Sequence, residues 1–200
     1  MTAMTIDDVL AFWLGPPGDP PLAKSASWWK KDEAFDAEIR ARFGEAIERA
    51  ARGEMEAWRS SPRGRLALVI LLDQFSRNAF RGTPRSFAQD ALALEVARQG
   101  VSAGDLAVLT PVEASFLLMP LMHAEEPAMQ ARCVEGFAEL CARTEGDTAT
   151  KATMTNALDF AKKHEAIVVR FGRFPHRNAV LGRESTDEER EFLTTPGSSF

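Results

Sequence analysis

Two segments of the sequence place polar side chains where an apolar helix would otherwise continue. The first follows the apolar run 66–72 and contains Asp73, Gln74, Arg77 and Asn78. Asp73 and Arg77 are four residues apart, as are Gln74 and Asn78, so each pair lies on one strip of a helix. Because the preceding run must be buried, we expect these side chains to face something other than bulk water, such as a ligand. The alternative is an ion pair that only closes the helix end, which contributes about 0.3–0.5 kcal/mol when exposed.

The second segment, residues 170–183, holds four arginines, one histidine and no acidic residue, although the chain as a whole is acidic. A guanidinium is a planar fork of N–H donors that suits a carboxylate or a phosphate. Arg173 and Arg177 are therefore candidates for binding an anion, with His176 and Asn178 beside them in the same loop. The tripeptide Arg-Asn-Ala of the first segment occurs again here. These arginines could instead cap helix ends and bridge neighbouring helices.

The three histidines are the side chains whose ordinary pKa lies near neutral pH, and tyrosine is absent from the chain. His123 and His164 are the candidates for catalysis as general acid or base, and Glu125 is a candidate ligand-binding neighbour of the first. His164 lies on an apolar strip, where a histidine is more often a core residue. His123 and Glu126 are three residues apart, but no second pair with ligand spacing accompanies them, so we predict no metal site.

The composition excludes several classes of protein. A chain of 200 residues with 45% hydrophobic and 26% charged residues is typical of one globular domain. Its net charge of −5 makes nucleic acid an unfavourable partner. The longest apolar runs span seven residues, whereas a membrane helix needs about 20, so we expect no membrane association. The acidic N-terminus and two cysteines at helical spacing favour a cytoplasmic protein. Without a phosphate-binding loop or a dinucleotide fingerprint, we predict no cofactor.

Nearly every segment carries helix start and stop signals. The starts are Thr5, Asp32, Ser61-Pro62, Thr83-Pro84, Thr110-Pro111, Pro127, Thr150, and a capping box from Ser185 to Glu188. Pro120 lies inside one apolar helix and should kink or stop it. No segment resembles a strand, so the pattern predicts an all-α fold of seven to nine helices packed as antiparallel hairpins. We expect a single domain over residues 1–195 and a disordered tail at 196–200.

The sequence resembles domain-of-unknown-function family 924, found in bacteria and plants, over nearly its whole length. The motifs that carry the resemblance are Phe12-Trp13, Trp28-Trp29, Phe35-Asp36, Leu71-Leu72-Asp73-Gln74-Phe75 with Arg77-Asn78, Pro120-Leu121-Met122-His123-Ala124-Glu125, His164, Arg170-Phe171-Gly172-Arg173-Phe174-Pro175-His176-Arg177-Asn178 and Leu181-Gly182-Arg183. Ala124 stands where the family often has serine, and Trp29 where phenylalanine is common. The resemblance implies an all-helical fold with a tetratricopeptide-like core. It implies no settled activity.

Three functions fit these residues. The favoured one is a pocket for a small anionic ligand, a phosphate or a carboxylate, whose status as an enzyme is left open. In that pocket Arg173 and Arg177 bind the anion, Asn78 and Asn178 orient it, and Asp73 holds Arg77.

The second function is a tetratricopeptide-like module that binds a peptide or protein partner in a helical groove, with Trp28 or Trp29 as anchor. The third is a buried polar network that only fixes the packing of the helices. Convergence of the polar residues on one open cavity favours the pocket, whereas complete mutual pairing favours the network.

Overall fold

The computed structural model describes residues 4–199, and the regular secondary structure of that stretch is entirely helical. Ten helices follow one another along these residues: α1 (Ile6–Leu14), α2 (Ser25–Trp28), α3 (Glu33–Ala51), α4 (62–79), α5 (Asp90–Ser102), α6 (Asp105–Val108), α7 (Pro111–His123), α8 (Pro127–Arg143), α9 (Thr148–Phe171) and α10 (Asp187–Phe192). Short 3₁₀ turns occur at Glu56–Ser60, Pro84–Phe87 and Pro175–Arg177. The predicted all-α class is confirmed.

The number of helices is slightly above the seven to nine that the sequence predicted. Two of the ten, α2 and α6, have only four residues each. A helix of one turn is too short to show a periodic apolar pattern, so the sequence gives no hydrophobic signal that reveals it. Thr83-Pro84 also opens a 3₁₀ turn, and α5 begins six residues later, at Asp90.

The helix starts follow from local chemistry. Thr5 and Thr110 each form a capping box with the acidic residue three positions on, which satisfies backbone N–H groups that the first turn of a helix leaves free. Asp32 and Ser61 cap α3 and α4 in the same way with their side chains. The last capping box joins Thr186 to Glu189, one residue later than the sequence suggested.

α4 departs from regular geometry in its middle. Residues Ile70–Phe75 are π-helical, between the α-helical segments Pro62–Val69 and Ser76–Ala79. Every residue of the π-helical stretch is buried, including Asp73 and Gln74. π-Helical turns are rare in proteins, and those that occur are often found at functional sites. Asp73 and Gln74, which begin the first polar segment of the sequence, therefore lie on a π-helical stretch of backbone in the core.

α7, α8 and α9 pack side by side around the main core, joined by the short loops 124–126 and 144–147. Short loops of this length make consecutive helices antiparallel neighbours. The core is filled by large buried side chains, among them Trp13, Phe43, Phe75, Phe116 and Phe137. A second, smaller apolar cluster of Ile167, Val168 and Phe174 holds the C-terminal loop against the end of α9.

Pro120 does not stop α7 at once, because the helix continues to His123. The helix end is held instead by the buried Gln130 of α8. Its Nε2 donates to the carbonyl oxygens of Met122 at 2.7 Å and Ala124 at 2.6 Å. These bonds satisfy acceptors that the last turn of a helix leaves open, and they place His123 on the final turn of α7.

The chain ends in turns after α10, where Ser198 is buried and its hydroxyl donates to the carbonyl oxygen of Leu193 at 3.2 Å. Disorder of the tail at 196–200 stays a prediction, and Phe200 lies outside the described residues. Within residues 4–199, no helix has the length and apolarity that crossing a membrane requires.

Candidate functional site

A cleft of about 320 Å³ lies between the start of α5, the end of α7 and the loop that follows α9. Its polar walls are formed by Asp90, His123, Glu125, Glu126 and Arg177. Its apolar walls include Phe87, Leu94, Pro120 and Leu181. This volume is at the lower end of the range of about 300–1,000 Å³ that is usual for small-molecule pockets. Of the two polar segments, only the second lines this cavity, through Arg177 and Leu181, and no residue of the first segment belongs to the lining.

Directly behind the cleft, Asp73 is completely buried on the π-helical stretch of α4. Its Oδ1 lies 2.7 Å from Nη1 of Arg77 and 2.7 Å from Nδ1 of His123. Gln74 donates from Nε2 to the other carboxylate oxygen at 2.5 Å. Burial alone would raise the pKa of Asp73, but the charges of Arg77 and His123 and the hydrogen bonds outweigh it and lower this pKa to about 2. The carboxylate is therefore ionised and serves only as an acceptor.

Asp90 joins the two copies of the Arg-Asn-Ala tripeptide. Arg77 donates two hydrogen bonds to Asp90, from Nη1 to Oδ1 at 2.9 Å and from Nη2 to Oδ2 at 3.0 Å. Arg177 approaches the same carboxylate only once, from Nη1 to Oδ2 at 3.4 Å. One carboxylate thus serves two guanidinium groups, and the bidentate geometry belongs to Arg77.

Arg177 is buried but weakly bonded. The central carbon of its guanidinium lies 4.5 Å from the ring centroid of Phe174 and 4.9 Å from that of Phe87. Its side chain is only 7% exposed, yet within residues 4–199 the long bond to Asp90 is its sole hydrogen bond, and the buried Nε has no partner. Burial and the like charge of Arg77 lower the pKa of Arg177 to about 10. The side chain is still a cation at neutral pH, and its N–H donors are largely unused.

His123 is oriented by Asp73. Because the ionised carboxylate can only accept, Nδ1 of His123 carries a proton and donates it to Oδ1 of Asp73 at 2.7 Å. Burial and the charge of Arg77 lower the pKa of His123 below its usual 6.5, against the opposing pull of Asp73. The ring is therefore neutral at pH 7, and its Nε2, which has no bond within residues 4–199, is an acceptor at the wall of the cleft. A neutral imidazole fixed by a carboxylate is suited to act as a general base.

Glu125 ties the loop after α9 to the end of α7. Arg183 donates to both of its carboxylate oxygens, at 2.6 and 2.9 Å, and the backbone N–H of Phe174 donates to Oε1 at 2.8 Å. Burial opposes the charged form, but these bonds hold the pKa of Glu125 below its ordinary value. Glu125 thus lines the cleft as a carboxylate that is already paired with an arginine.

Asn78 points away from the cleft toward α3. Its Nδ2 donates to Oδ1 of Asp36 at 2.7 Å, and Arg81 donates to both oxygens of Asp36 at 2.6 and 3.0 Å. We call Asp36, Asn78 and Arg81 the Asp36 network. The bond pattern is complete without a ligand, so Asn78 is not brought together with the cleft residues.

Arg173 and Asn178 form a second closed arrangement, the Glu189 network, with Glu189 of α10. Arg173 donates from Nε and Nη2 to the two oxygens of Glu189 at 2.7 and 2.8 Å. Asn178 donates from Nδ2 to Ser185 Oγ at 3.0 Å and accepts from Nε of Arg183 at 3.0 Å. The bond with Arg173 is the main cause that lowers the pKa of Glu189 to about 2. These two predicted ligand-binding residues therefore lie outside the cleft lining.

The other two histidines pack behind the cleft. The His164 ring lies 6.4 Å from that of His123 and 5.5 Å from that of Phe174, and its Nδ1 bonds the Phe160 carbonyl oxygen at 2.8 Å. Burial lowers the pKa of His164 to about 3. His176 packs against Phe174, with ring centroids 5.6 Å apart, and burial together with the charge of Arg177 lowers its pKa to about 4. Both rings are neutral at physiological pH.

The tryptophans proposed as partner anchors differ in exposure. Trp28 is buried, and its Nε1 donates to the carbonyl oxygen of Trp13 at 2.7 Å, so it is a core residue. Trp29 is 65% exposed and stacks on Phe116. Across residues 4–199, no group of three or more histidine, cysteine, aspartate or glutamate side chains is arranged to hold a metal ion.

Sequence reasoning missed Asp90 and Phe87. In the sequence, Asp90 is one acidic residue in the first turn of a helix, a position that favours acids for reasons of helix electrostatics alone. Its partners Arg77 and Arg177 lie 13 and 87 residues away along the chain. Phe87 belongs to the 3₁₀ turn before α5, where a single phenylalanine forms no motif. No local signal identifies either residue.

Comparisons with known proteins agree with this description. The model of the family described as bacterial protein of unknown function (DUF924) matches residues 9–197. The solved structure of a protein of unknown function, ATU0120 from Agrobacterium tumefaciens, is similar, with a TM-score of 0.78 and 37% sequence identity. That similarity covers 94% of this chain and 96% of the other. No curated protein matches the chain. The chain therefore belongs to the DUF924 family.

Proposed function

We propose that the cleft binds a small molecule through an anionic group, with Arg177 as the residue that anchors it. The observation that carries the proposal is the poor pairing of Arg177. This residue is a cation that is only 6% exposed, and its side chain makes one hydrogen bond, of 3.4 Å, within residues 4–199. A buried charge that is poorly paired costs free energy, which an anion at the open side of the guanidinium would recover. Phe87 and Phe174 pack against the guanidinium without bonding its N–H donors, so those donors are left for a ligand.

The edge of a guanidinium selects the chemistry of its partner. It presents parallel N–H donors that match the two oxygens of a carboxylate or of a phosphate, and such charge-assisted bonds are about twice as strong as neutral ones. Arg77 cannot take this role, because its donors already bind Asp73 and Asp90. Arg177 is therefore the anchor, and Arg77 fixes the carboxylate beside it.

His123 gives the cleft a group that can move a proton. Asp73 fixes the orientation of the ring, and the lowered pKa keeps Nε2 unprotonated at neutral pH. A ligand held at Arg177 would lie beside this acceptor, since both residues line the same cleft. If the protein is an enzyme, His123 is the general base and Asp73 its positioning residue. His164, whose pKa is near 3 and whose Nδ1 is bonded to the backbone, is assigned a packing role.

Isothermal titration calorimetry with small carboxylates and phosphates tests the proposal. We expect at least one of these anions to bind the wild type, and Arg177→Met to weaken it at least about tenfold through loss of a charge-assisted contact. Arg170→Met is the matched control, because Arg170 lies in the same polar segment but pairs with Glu188 at the surface. The proposal is wrong if no carboxylate or phosphate binds, or if Arg177→Met binds as tightly as the control.

A further inference from the structure

The carboxylates around the cleft are not equivalent. Asp90 uses both oxygens to bind Arg77, and Glu125 uses both to bind Arg183. Each of these carboxylates is thus already paired with an arginine. Their negative charges are largely balanced, so they attract a cationic group less than an unpaired carboxylate does.

Glu126 differs from both. It lines the same cleft and occupies the N-cap position of α8, yet its side chain makes no capping bond to that helix. Acidic N-cap residues ordinarily accept from the backbone N–H groups of the first turn, so the absence of this bond leaves the carboxylate available. Within residues 4–199, Glu126 takes part in no ion pair or side-chain hydrogen bond, and it is exposed to solvent.

Two unused groups of opposite charge thus share one cavity. Arg177 and Glu126 both line the cleft, but no ion pair of 4 Å or less joins them in the described part of the chain. A cleft of about 320 Å³ is therefore lined both by a cation with unused donors and by a carboxylate with unused acceptors. This arrangement is complementary to a molecule that carries both charges.

The charge balance points the same way. Asp90, Glu125 and Glu126 line the cleft together with a single cation, Arg177. Asp90 and Glu125 are balanced by Arg77 and Arg183, so a phosphate dianion would leave the unpaired carboxylate of Glu126 in the same cleft as a like charge. A zwitterion adds no net charge and pairs with each unused group.

We infer that the ligand is an amine-bearing carboxylic acid of the free amino acid class, held by its carboxylate at Arg177 and by its ammonium at Glu126. The inference rests on the proposed function and specifies the ligand of the same cleft. The apolar walls formed by Phe87, Leu94 and Leu181 face the remaining part of the molecule, so an apolar side chain fits best.

Matched pairs of ligands that differ only in the amine test the inference by calorimetry. The pairs are leucine with isocaproate, phenylalanine with hydrocinnamate, and alanine with propionate, and inorganic phosphate is titrated beside them. We expect an amino acid of one pair to bind at least about tenfold tighter than its deaminated partner, as an added ion pair in a partly buried site provides. Glu126→Gln should abolish that difference and leave the deaminated acid unaffected. Glu145→Gln, at an exposed glutamate in the loop before α9, should preserve it.

The outcomes separate the two proposals. If a deaminated acid or phosphate binds as tightly as the amino acids, or if Glu126→Gln leaves the amino acid affinity unchanged, the amino acid inference is wrong and anion binding at Arg177 stands. If neither the acids, nor the amino acids, nor phosphate bind, both the inference and the proposed function are wrong.

Discussion

The cleft and the two closed networks are built from the same kinds of residue but differ in how completely their polar groups are bonded. In the Asp36 network, Arg81 and Asn78 together occupy both oxygens of one carboxylate. In the cleft, Arg177 reaches a carboxylate that Arg77 has already engaged, and it keeps most of its donors. Under the proposed function, the polar residues that interrupt the apolar core mark a binding site only where their bonding is incomplete.

The two copies of the Arg-Asn-Ala tripeptide show the same difference between neighbouring residues. In both copies the arginine, Arg77 or Arg177, turns toward Asp90 at the cleft. In both copies the following asparagine turns away and joins a closed network, Asn78 with Asp36 and Asn178 with Glu189. Each tripeptide therefore supplies one arginine to Asp90 and one asparagine to the support of the fold, and of the two arginines only Arg177 lines the cleft.

Removal of Asp73 should have the largest effect on stability, because this buried carboxylate behind the cleft is bonded to Gln74, Arg77 and His123. Asp73→Ala leaves Gln74 and His123 without their acceptor and Arg77 with one carboxylate fewer. We expect the free energy of unfolding, measured by urea denaturation, to fall by about 3–5 kcal/mol, as when one partner of a buried ion pair is lost. A loss of unfolding free energy below about 1 kcal/mol would mean that the bonds of Asp73 are not required for stability.

Removal of Asp36 should have a smaller effect and should not reach the cleft. Asp36→Ala strips the acceptors from Asn78 and from the partly exposed Arg81. We expect the free energy of unfolding to fall by about 2–3 kcal/mol, with unchanged affinity for any anion that binds the wild type. A parallel loss of affinity would contradict the separation of the network from the cleft.

The buried histidines should make the protein less stable in acid. The pKa of His164 is about 3 in the folded protein and near 6.5 when the chain is unfolded. Stability from the neutral ring is therefore complete above about pH 6.5 and is lost progressively as the pH falls toward the folded value. His164→Phe should reduce the slope of unfolding free energy against pH by up to about 1.4 kcal/mol per unit between about pH 6 and 4. An unchanged slope in urea titrations would exclude His164 as its source.

The sequence was sufficient for most of the fold but for only part of the site. Local bonds explain the success: Thr5, Asp32, Ser61 and Thr110 each cap a helix within three residues, so the chain nearby reveals the start. The one-turn helix α2 gives no such pattern and was missed.

For the candidate site, the sequence predicted His123 and Arg177, which line the cleft, and Asp73 and Arg77, which lie behind it, since polar residues next to buried runs are visible in the chain. It could not show which polar residue faces a cavity, because that depends on contacts between distant segments. Asp90 was missed for this reason, since Arg177 is 87 residues away.

The most direct test of the account compares Arg177→Met with Arg173→Met. The two arginines are neighbours in one loop, but Arg173 is paired with both oxygens of Glu189 whereas Arg177 is not fully bonded. Unfolding free energy is measured for each variant with and without a small carboxylate that binds the wild type.

We predict that Arg177→Met changes the stability of the free protein by less than about 1 kcal/mol and abolishes the gain from the carboxylate, since an apolar side chain replaces a poorly paired buried charge. Arg173→Met should lower stability and retain the full gain. The reverse result, in which Arg177→Met unfolds readily while the carboxylate still stabilises it, would contradict the central claim that incomplete bonding marks the binding site.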